Sequence, residues 1–492
     1  MNTRVIFAVI FGLLVASVAY YLWWGQRDNN SQSAANAQVQ ATGVDGSQAA
    51  PGLDTVAVAS PGATVAVAPS RFSQDGVVSI DARLGQSQIL TDGGSTQILL
   101  RAIAGAGQSQ KVRLPLQVVL VLDRSGSMQG ARMQNAQQAA VFFLDNLETG
   151  DSVAVVSYAS NVRVDVPLQA ITPATREHIR QIIYGISVGG GTCISCGLET
   201  AESLLAATKA EVASRVVLLS DGQANSGITD TDALATMARR MEQSGVTTST
   251  IGVGLDYNED LMAQVAISGN GNHYFVEDTA MLATVLQSEL GTMQDVVARR
   301  VVATFTLGDG VAFVRGYDRN FDVVGNKVTV SLGDLPARSE RTALFEVSYT
   351  AGSDGQRAVS DVLITYDEVG QQAERRHNGQ LMAWATADAT KAVASVDHDV
   401  AARFEQAVLA DSLVKANEEL RQGRVEEAER IMQDQLVRGR SANKVFKSDK
   451  LGASLEAFEE ATVNVGKAKS EGAPAAARQT KGNAAIQRSL AY

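Results

Sequence analysis

Continuous apolar runs alternate with amphipathic stretches through the middle of the chain. Leu116–Leu122 and Val216–Leu219 hold almost no polar residue, which is typical of strands covered on both faces in a parallel sheet. Between and after them, apolar residues recur at helical spacing near 131–146, 175–184, 195–207, 230–244, 258–268 and 279–298. The alternation predicts an α/β domain with a doubly wound, mostly parallel sheet over residues 113–298.

On both sides of this domain the pattern changes to the two-residue period of half-buried strands. Strands are predicted at Val77–Leu84 and Thr96–Ile103, and afterwards at Val301–Leu307, Val311–Gly316, Lys327–Leu332, Thr342–Tyr349 and Val359–Tyr366. Two strands alone cannot bury a core, whereas two plus five make a sandwich of ordinary size. We therefore expect residues 76–112 and 299–375 to form one split antiparallel β-sandwich into which the α/β domain is inserted.

Helical spacing returns near the C-terminus, and residues 376–470 are predicted to form a helical region. Leu420–Ala428 resembles one tetratricopeptide-type unit, but a single unit cannot bury its own face. Packing of these helices on the rest of the protein is therefore preferred to a peptide-binding array. Residues 471–492 are predicted to be a disordered tail.

The N-terminal residues contain a charge-free stretch, Val5–Trp24, about as long as the roughly 20 apolar residues that cross a bilayer. We expect residues 1–27 to be a transmembrane signal anchor with a cytoplasmic N-terminus, and the bulk of the chain to lie in the periplasm or outside the cell. The alternative is a secretory signal cleaved after Ala19. Residues 28–75 are rich in Ala, Ser, Gln and Gly and are predicted to be a flexible linker.

Oxygen-bearing side chains follow two of the predicted buried strands. Asp123, Ser125 and Ser127 come at the end of the first, Asp221 ends the second, and Thr192 lies on a Gly-rich loop between them. Open α/β sheets bind ligands at the carboxyl ends of their strands. Carboxylates and hydroxyls suit Mg²⁺, with Mn²⁺ or Ca²⁺ as alternatives, so a metal site is predicted here.

This set of residues resembles the metal-ion-dependent adhesion site of von Willebrand factor type A domains. The resemblance assigns the five metal-site positions to Asp123, Ser125, Ser127, Thr192 and Asp221, and it covers roughly residues 113–298. It implies a non-enzymatic module whose metal captures an Asp or Glu carboxylate of a protein partner, in adhesion or in scaffolding of an envelope complex. The flanking strands, with Val330–Leu335, resemble bacterial envelope proteins that are distantly similar to inter-alpha-trypsin inhibitor heavy chains.

Charge and histidine content bear on the other classes of function. A net charge of −11 argues against nucleic-acid binding. Mg²⁺-dependent hydrolysis is the main alternative, but none of the four histidines is near the five residues in sequence, and no general base is evident. Regulation of a membrane channel or envelope complex through a purely structural metal is the other alternative.

Cys193 and Cys196 are the only cysteines and adjoin Thr192. A local disulfide would stiffen the loop that carries Thr192 if the domain lies outside the cytoplasm. Two small buried thiols facing the sheet are an equally acceptable interpretation.

Overall fold

The computed structural model describes residues 69–106, 113–206, 212–317, 319–371, 373–471 and 473–491. The predicted anchor, residues 1–27, and most of the predicted linker lie outside these ranges. Within them, no helix combines the length and the apolarity that crossing a bilayer requires.

The described residues form strands and helices in the following order. The strands are β1 (Arg71–Gln74), β2 (Val78–Leu84), β3 (Gln88–Leu90), β4 (Gly94–Ala104), β5 (Leu116–Asp123), β6 (Ser152–Tyr158), β7 (Val162–Ala170), β8 (Ala213–Ser220), β9 (Val246–Val253), β10 (Asn270–Val276), β11 (Val296–Leu307), β12 (Val311–Gly316), β13 (Phe321–Val324), β14 (Lys327–Pro336), β15 (Glu340–Tyr349), β16 (Gly355–Glu368) and β17 (Glu374–Thr386). The helices are α1 (Ala131–Asp145), α2 (Pro173–Tyr184), α3 (Ile194–Leu205), α4 (Thr231–Gln243), α5 (Glu259–Ser268), α6 (Leu282–Gln294), α7 (Ala389–Ala394), α8 (His398–Arg421), α9 (Val425–Phe446), α10 (Asp449–Glu471) and α11 (Ala473–Ala491). Short 3₁₀ turns occupy Gly126–Met128 and Thr279–Met281.

The central sheet has the strand order β10-β9-β8-β5-β6-β7. All of its pairings are parallel except the edge hairpin β6–β7. Phe143 and Leu290 belong to a core on one face, and Leu198 and Met262 belong to a core on the other. Helices thus cover both faces, which confirms the doubly wound α/β fold. It also places β5 and β8 side by side in the middle of the sheet.

The sandwich consists of two sheets, ordered β1-β2-β4-β15-β12 and β13-β14-β11-β16-β17-β3. Strand β4 precedes the α/β domain and β15 follows it, and the two pair antiparallel from Gly94–Tyr349 to Ile103–Glu340. Leu100 and Phe305 lie in the core that the two sheets share. The split sandwich with an inserted α/β domain is therefore confirmed.

The structure differs from the sequence-based expectation at the start of the sandwich. The linker was predicted to extend to residue 75, but Arg71–Gln74 form β1, which pairs with β2. Phe72 packs against the sandwich core, and its ring approaches Gly379 so closely that a Cβ there would lie 2.2 Å from it. Contact with β17, remote in sequence, therefore stabilises a segment too short to be recognised from its own pattern.

The link between the α/β domain and the sandwich is shorter than predicted. The last helix of the domain was expected to reach Ala298, but α6 ends at Gln294 and β11 already begins at Val296. Pairing of Val296 with Pro336 and of Ala298 with Leu335 extends the strand backwards to the helix. The helix therefore passes into the sandwich with a single residue between them.

Two further differences concern the C-terminal part. The predicted helical region 376–470 begins inside β17, whose Leu381, Ala383 and Ala385 alternate into the sandwich core. The predicted disordered tail, 471–492, contains helix α11. Asn483 of this helix is fully buried and donates from Nδ2 to Asn417 Oδ1 of α8 at 2.8 Å. A helix that is held by polar contacts of this kind cannot be recognised from hydrophobic periodicity in the sequence.

The C-terminal helices pack on one another and on the sandwich. Leu409, Met432 and Phe458 belong to a core of their own. Val400 of α8 packs with Leu99 on the outer side of β4. The hairpin that resembles a tetratricopeptide unit is thus covered by neighbouring helices.

Candidate metal centre

Asp123 ends β5, and the chain then turns through the 3₁₀ segment Gly126–Met128. The backbone N–H of Ser125 donates to Asp123 Oδ1 at 2.8 Å. The hydroxyl of Ser220, the last residue of the neighbouring strand β8, donates to Asp123 Oδ2 at 2.7 Å. The carboxylate is thus oriented by its own turn and by the adjacent strand.

Asp221 follows β8 directly and lies beside the same turn. The Ser127 hydroxyl donates to Asp221 Oδ1 at 2.7 Å, and the hydroxyl oxygens of Ser125 and Ser127 are 3.0 Å apart. A hydroxyl that donates its proton to a carboxylate keeps its oxygen lone pairs for another partner. Four of the five predicted ligands are therefore joined in one hydrogen-bonded cluster.

Thr192 is brought to this cluster by the loop that follows β8. Its backbone N–H donates to Asn225 Oδ1 at 2.7 Å, and the N–H of Asn225 donates back to the Thr192 carbonyl at 3.1 Å. A Cβ placed on Gly222 would lie 3.5 Å from both Ser127 Oγ and Thr192 Oγ1. The glycine therefore leaves room at the point where the hydroxyls from two separate segments meet.

Burial raises the free energy of the two charged carboxylates in the cluster unless a cation lies beside them. Asp123 and Asp221 are both 0% exposed. Burial raises the pKa of Asp123, the charge of Asp221 raises it further, and hydrogen bonds from Ser125 and Ser220 lower it only in part. Two carboxylates and three hydroxyls form an all-oxygen donor set, which fits a hard divalent ion such as Mg²⁺, Mn²⁺ or Ca²⁺.

Three side chains that support the cluster were not predicted from the sequence. Ser220 and Asn225 orient Asp123 and Thr192, and the Arg132 guanidinium lies 2.8 Å from Asp221 Oδ2 through Nη1. Arg132 had a signal, since a cation in the first turn of α1 faces the positive end of the helix dipole and needs a nearby acid. Ser220 and Asn225 are ordinary turn residues, and only the approach of their segments gives them a role.

Cys193 and Cys196 form a disulfide across the first turn of α3. Cys193 is 1% exposed, and its N–H donates to the Ala159 carbonyl at 2.8 Å. Gly227, in the loop after β8, passes directly over the pair. The disulfide therefore lies next to Thr192 and packs against the loop whose Asn225 holds Thr192.

The histidine environments bear on the hydrolytic alternative. His273 is buried in β10 and is paired with Thr250 Oγ1 at 2.8 Å and Tyr257 OH at 3.3 Å. His377 lies 3.2 Å from Tyr366 OH in the sandwich, and the His398 ring packs near Phe446. These contacts give the three side chains structural roles.

Comparisons with known proteins agree with this geometry. The family model for the von Willebrand factor type A domain matches residues 117–288. The uncharacterized protein YfbK of Escherichia coli strain K12 is 32% identical over 256 residues, which are 50% of this chain and 43% of that protein. The chain therefore spans less than half the length of that relative. Human inter-alpha-trypsin inhibitor heavy chain H4 is 26% identical over 167 residues, 32% of this chain and 18% of that protein.

Two solved structures share the fold over most of the chain. The von Willebrand factor type A protein from Catenulispora acidiphila has a TM-score of 0.64 at 16% identity and covers 79% of this chain and 91% of its own. The ArnB paralog VWA2 from Sulfolobus acidocaldarius has a TM-score of 0.59 at 15% identity, with 85% of this chain and 100% of its own covered. Domains of this family are commonly metal-dependent protein-interaction modules, and their homologues are generally non-enzymatic. From its sheet, its strand-end cluster and the family match, the segment 117–288 is a von Willebrand factor type A domain within this chain.

Proposed function

We propose that Asp123, Ser125, Ser127, Thr192 and Asp221 bind Mg²⁺ and that the ion captures an Asp or Glu carboxylate of a partner protein. The observation that carries the proposal is the meeting of three segments. Asp123, Ser125, Ser127 and Asp221 form one hydrogen-bonded cluster, and the Thr192 hydroxyl adjoins Ser127 of this cluster beside Gly222. Five protein oxygens leave a six-coordinate ion one position for an incoming ligand. The exposed loops at the strand ends allow a partner to approach it.

Metal binding is tested by calorimetric titration of the protein with Mg²⁺, Mn²⁺ and Ca²⁺. Asp123→Asn and Thr192→Val are expected to weaken binding at least about tenfold, because the first removes a carboxylate charge and the second a hydroxyl oxygen from the set. Asp232→Asn is the matched control, since Asp232 is an exposed acid of the same domain. Equal metal affinity in the wild type and all three variants would show that the metal does not bind at this cluster.

Carboxylate capture is tested separately on the Mn²⁺-loaded protein. The relaxation rate of water protons reports the water that is bound to the Mn²⁺ ion. A peptide that contains Glu should displace this water and lower the rate, whereas the same peptide with Gln in place of Glu should leave the rate unchanged. An equal response to both peptides, with metal binding intact, would leave the ion a purely structural role. Asp123→Asn, measured at a Mn²⁺ concentration that loads the wild type but not this variant, serves as the control.

We further propose that residues 1–27 anchor the chain in a membrane and that the domain acts outside the cytoplasm, tethered by the linker. The charge-free stretch Val5–Trp24 and its aromatic end support this. The test is membrane fractionation followed by N-terminal sequencing. A mature chain that starts at Tyr20, or one recovered without the membrane, would contradict the anchor.

A further inference from the structure

Arg132 lies between two carboxylates of very different exposure. Its Nη1 is 2.8 Å from Asp221 Oδ2 and its Nη2 is 3.4 Å from Asp256 Oδ2. The Asp221 side chain is 0% exposed, that of Arg132 is 33% exposed, and that of Asp256 is 70% exposed. The guanidinium thus reaches from the buried cluster to a solvent-exposed acid on the loop after β9.

The position of Arg132 is not one that its helix favours. It is the second residue of α1, where the helix dipole repels a positive charge. Nη1 also approaches the Ser127 carbonyl at 3.4 Å, and a Cβ on Gly254 would lie 3.3 Å from Nη2. The two acids and the surrounding backbone, and not the helix, hold the guanidinium in place.

The charge of Arg132 matters because Asp123 and Asp221 are buried close together. Two like charges in a buried site raise each other's free energy, and a cation beside one of them offsets that cost. Among the ion pairs of the described residues, the pair that includes either carboxylate is Arg132–Asp221. Arg132 therefore supplies positive charge at the same carboxylates that a divalent ion would use.

We propose that Arg132 is an internal counterion that competes with the divalent ion for Asp221 and so sets the metal affinity of the site. This rests on the proposed metal binding. A bound ion repels the guanidinium, and Asp256 offers it a second acceptor within reach. The site then binds metal reversibly, and the cluster stays folded at low metal concentration.

Three substitutions separate the parts of this proposal. Arg132→Gln removes the competing charge and should tighten Mg²⁺ and Mn²⁺ binding about tenfold, the size of a water-screened interaction between a divalent ion and a unit charge a few ångströms away. Arg132→Lys keeps the charge and should stay near the wild-type affinity. Asp256→Asn removes the second acceptor and should weaken binding about threefold. Arg180→Gln is the matched control, since its side chain is also 33% exposed and pairs with acids of the same domain.

The measurements are calorimetric titration with Mg²⁺ or Mn²⁺ alone and thermal unfolding in Mg²⁺ and in EDTA. For Arg132→Gln we expect lower stability than wild type in EDTA and a larger rise of the Tm on addition of Mg²⁺. Equal or weaker metal affinity in folded Arg132→Gln would overturn the competition. A rise of Tm no larger than that of the wild type would overturn it as well.

The double variant Arg132→Gln/Asp221→Asn distinguishes the counterion from the metal proposal. Removing the Asp221 charge should restore in EDTA most of the stability that Arg132→Gln loses, whether or not the wild type binds metal. Absence of restoration would overturn the counterion role. If the wild type and Arg180→Gln bind no metal while restoration occurs, the proposed metal function fails and Arg132 remains the counterion of Asp221, without a competing ion.

Discussion

Gly227 has a φ of +68° where the loop after β8 passes over the Cys193–Cys196 pair. A Cβ at this position would lie 2.5 Å from both Cys193 Sγ and Ser195 Oγ. Gly245 has a similar φ of +84°, but a Cβ there would meet nothing within 4 Å. The two glycines have similar backbone conformations, but only Gly227 lacks the space for a side chain.

We expect Gly227→Ala to lower the free energy of unfolding by about 3 kcal/mol and Gly245→Ala by about 1 kcal/mol. Urea unfolding of both variants measures the difference. Because Asn225 of the same loop holds Thr192, Gly227→Ala should also weaken Mg²⁺ binding. Equal losses of stability in the two variants would show that the loop moves away freely.

The Cys193–Cys196 bond closes a very short loop, so its entropic effect on the unfolded chain is modest. We expect the Cys193→Ala/Cys196→Ala protein to be about 2 kcal/mol less stable than the oxidised wild type. Urea unfolding with and without a reductant measures this, and the double variant is the control that a reductant should leave unchanged. Labelling of both thiols by an alkylating agent in untreated native protein would exclude the bond.

At the scale of elements, helix α6 is joined to the central sheet by a buried acid. Glu289 is 2% exposed and accepts hydrogen bonds from the Ser249 hydroxyl, from Asn272 Nδ2 at 3.0 Å and from Tyr274 OH at 2.7 Å. Burial raises the pKa of Tyr274, and the charge of Glu289 raises it further. Since α6 passes directly into β11, this cluster also fixes the connection to the sandwich.

We expect Glu289→Gln to lower the free energy of unfolding by about 2 kcal/mol and Glu289→Ala by about 4 kcal/mol, because alanine leaves the buried Ser249 hydroxyl and the half-buried Asn272 and Tyr274 donors without their acceptor. Gln287→Ala, an exposed position on the same helix, should change it by less than about 0.5 kcal/mol. Chemical unfolding gives the three values. A loss for Glu289→Ala as small as that of the control would mean that the donors find water instead.

The strands that the sequence pattern missed are short, or are polar over much of their length. Strand β17 alternates in its second half, where Leu381, Ala383 and Ala385 face the core, but its first half is polar and charged. Its pairing with β16 from Gly355–Ala385 to Asp367–Glu374 supplies the hydrogen bonds that make it a strand. Strand β3 has three residues and depends in the same way on β17.

At the scale of the whole molecule, helix α11 contacts the von Willebrand domain through a buried ion pair. Lys481 is 3% exposed, and its Nζ donates to Glu259 Oε2 at 2.9 Å and to the Tyr257 carbonyl at 2.8 Å. Arg421 of α8 also contacts Glu259 and the neighbouring Asp260. Burial alone would raise the pKa of Glu259, but the charges and hydrogen bonds of Lys481, with Arg421, bring it below its ordinary value.

This lowered pKa gives the contact a defined pH dependence. A carboxylate with a depressed folded-state pKa contributes stability above its unfolded pKa of about 4.3, and that stability is lost as the pH falls through the folded value. Lys481→Met should therefore cost about 3 kcal/mol at pH 7 and less at pH 3, because the stability that the ion pair contributes declines once the pH falls below the unfolded value and toward the lowered folded one. Urea unfolding at the two pH values measures this loss of stability. Hydrogen exchange in α11 shows whether the loss arises at this helix.

Lys450→Met is the matched control, because Lys450 pairs with Glu340 but is 65% exposed. It should change stability by less than about 1 kcal/mol at either pH. A loss for Lys481→Met that is the same at pH 7 and pH 3 would attribute the effect to packing of the lysine stem instead of to the ion pair.

The sequence by itself determined the central domain and the place of its candidate site. Apolar runs encode buried strands locally, and Asp123 and Asp221 each follow such a run, so their proximity follows from parallel pairing of β5 and β8. Metal binding by the five residues stays a prediction. The tertiary structure alone decided the contact of Arg132 with Asp221 and Asp256, the bond between the cysteines, and the docking of α11. Each of these depends on an approach between segments distant in sequence or on a loop geometry that no local periodicity records.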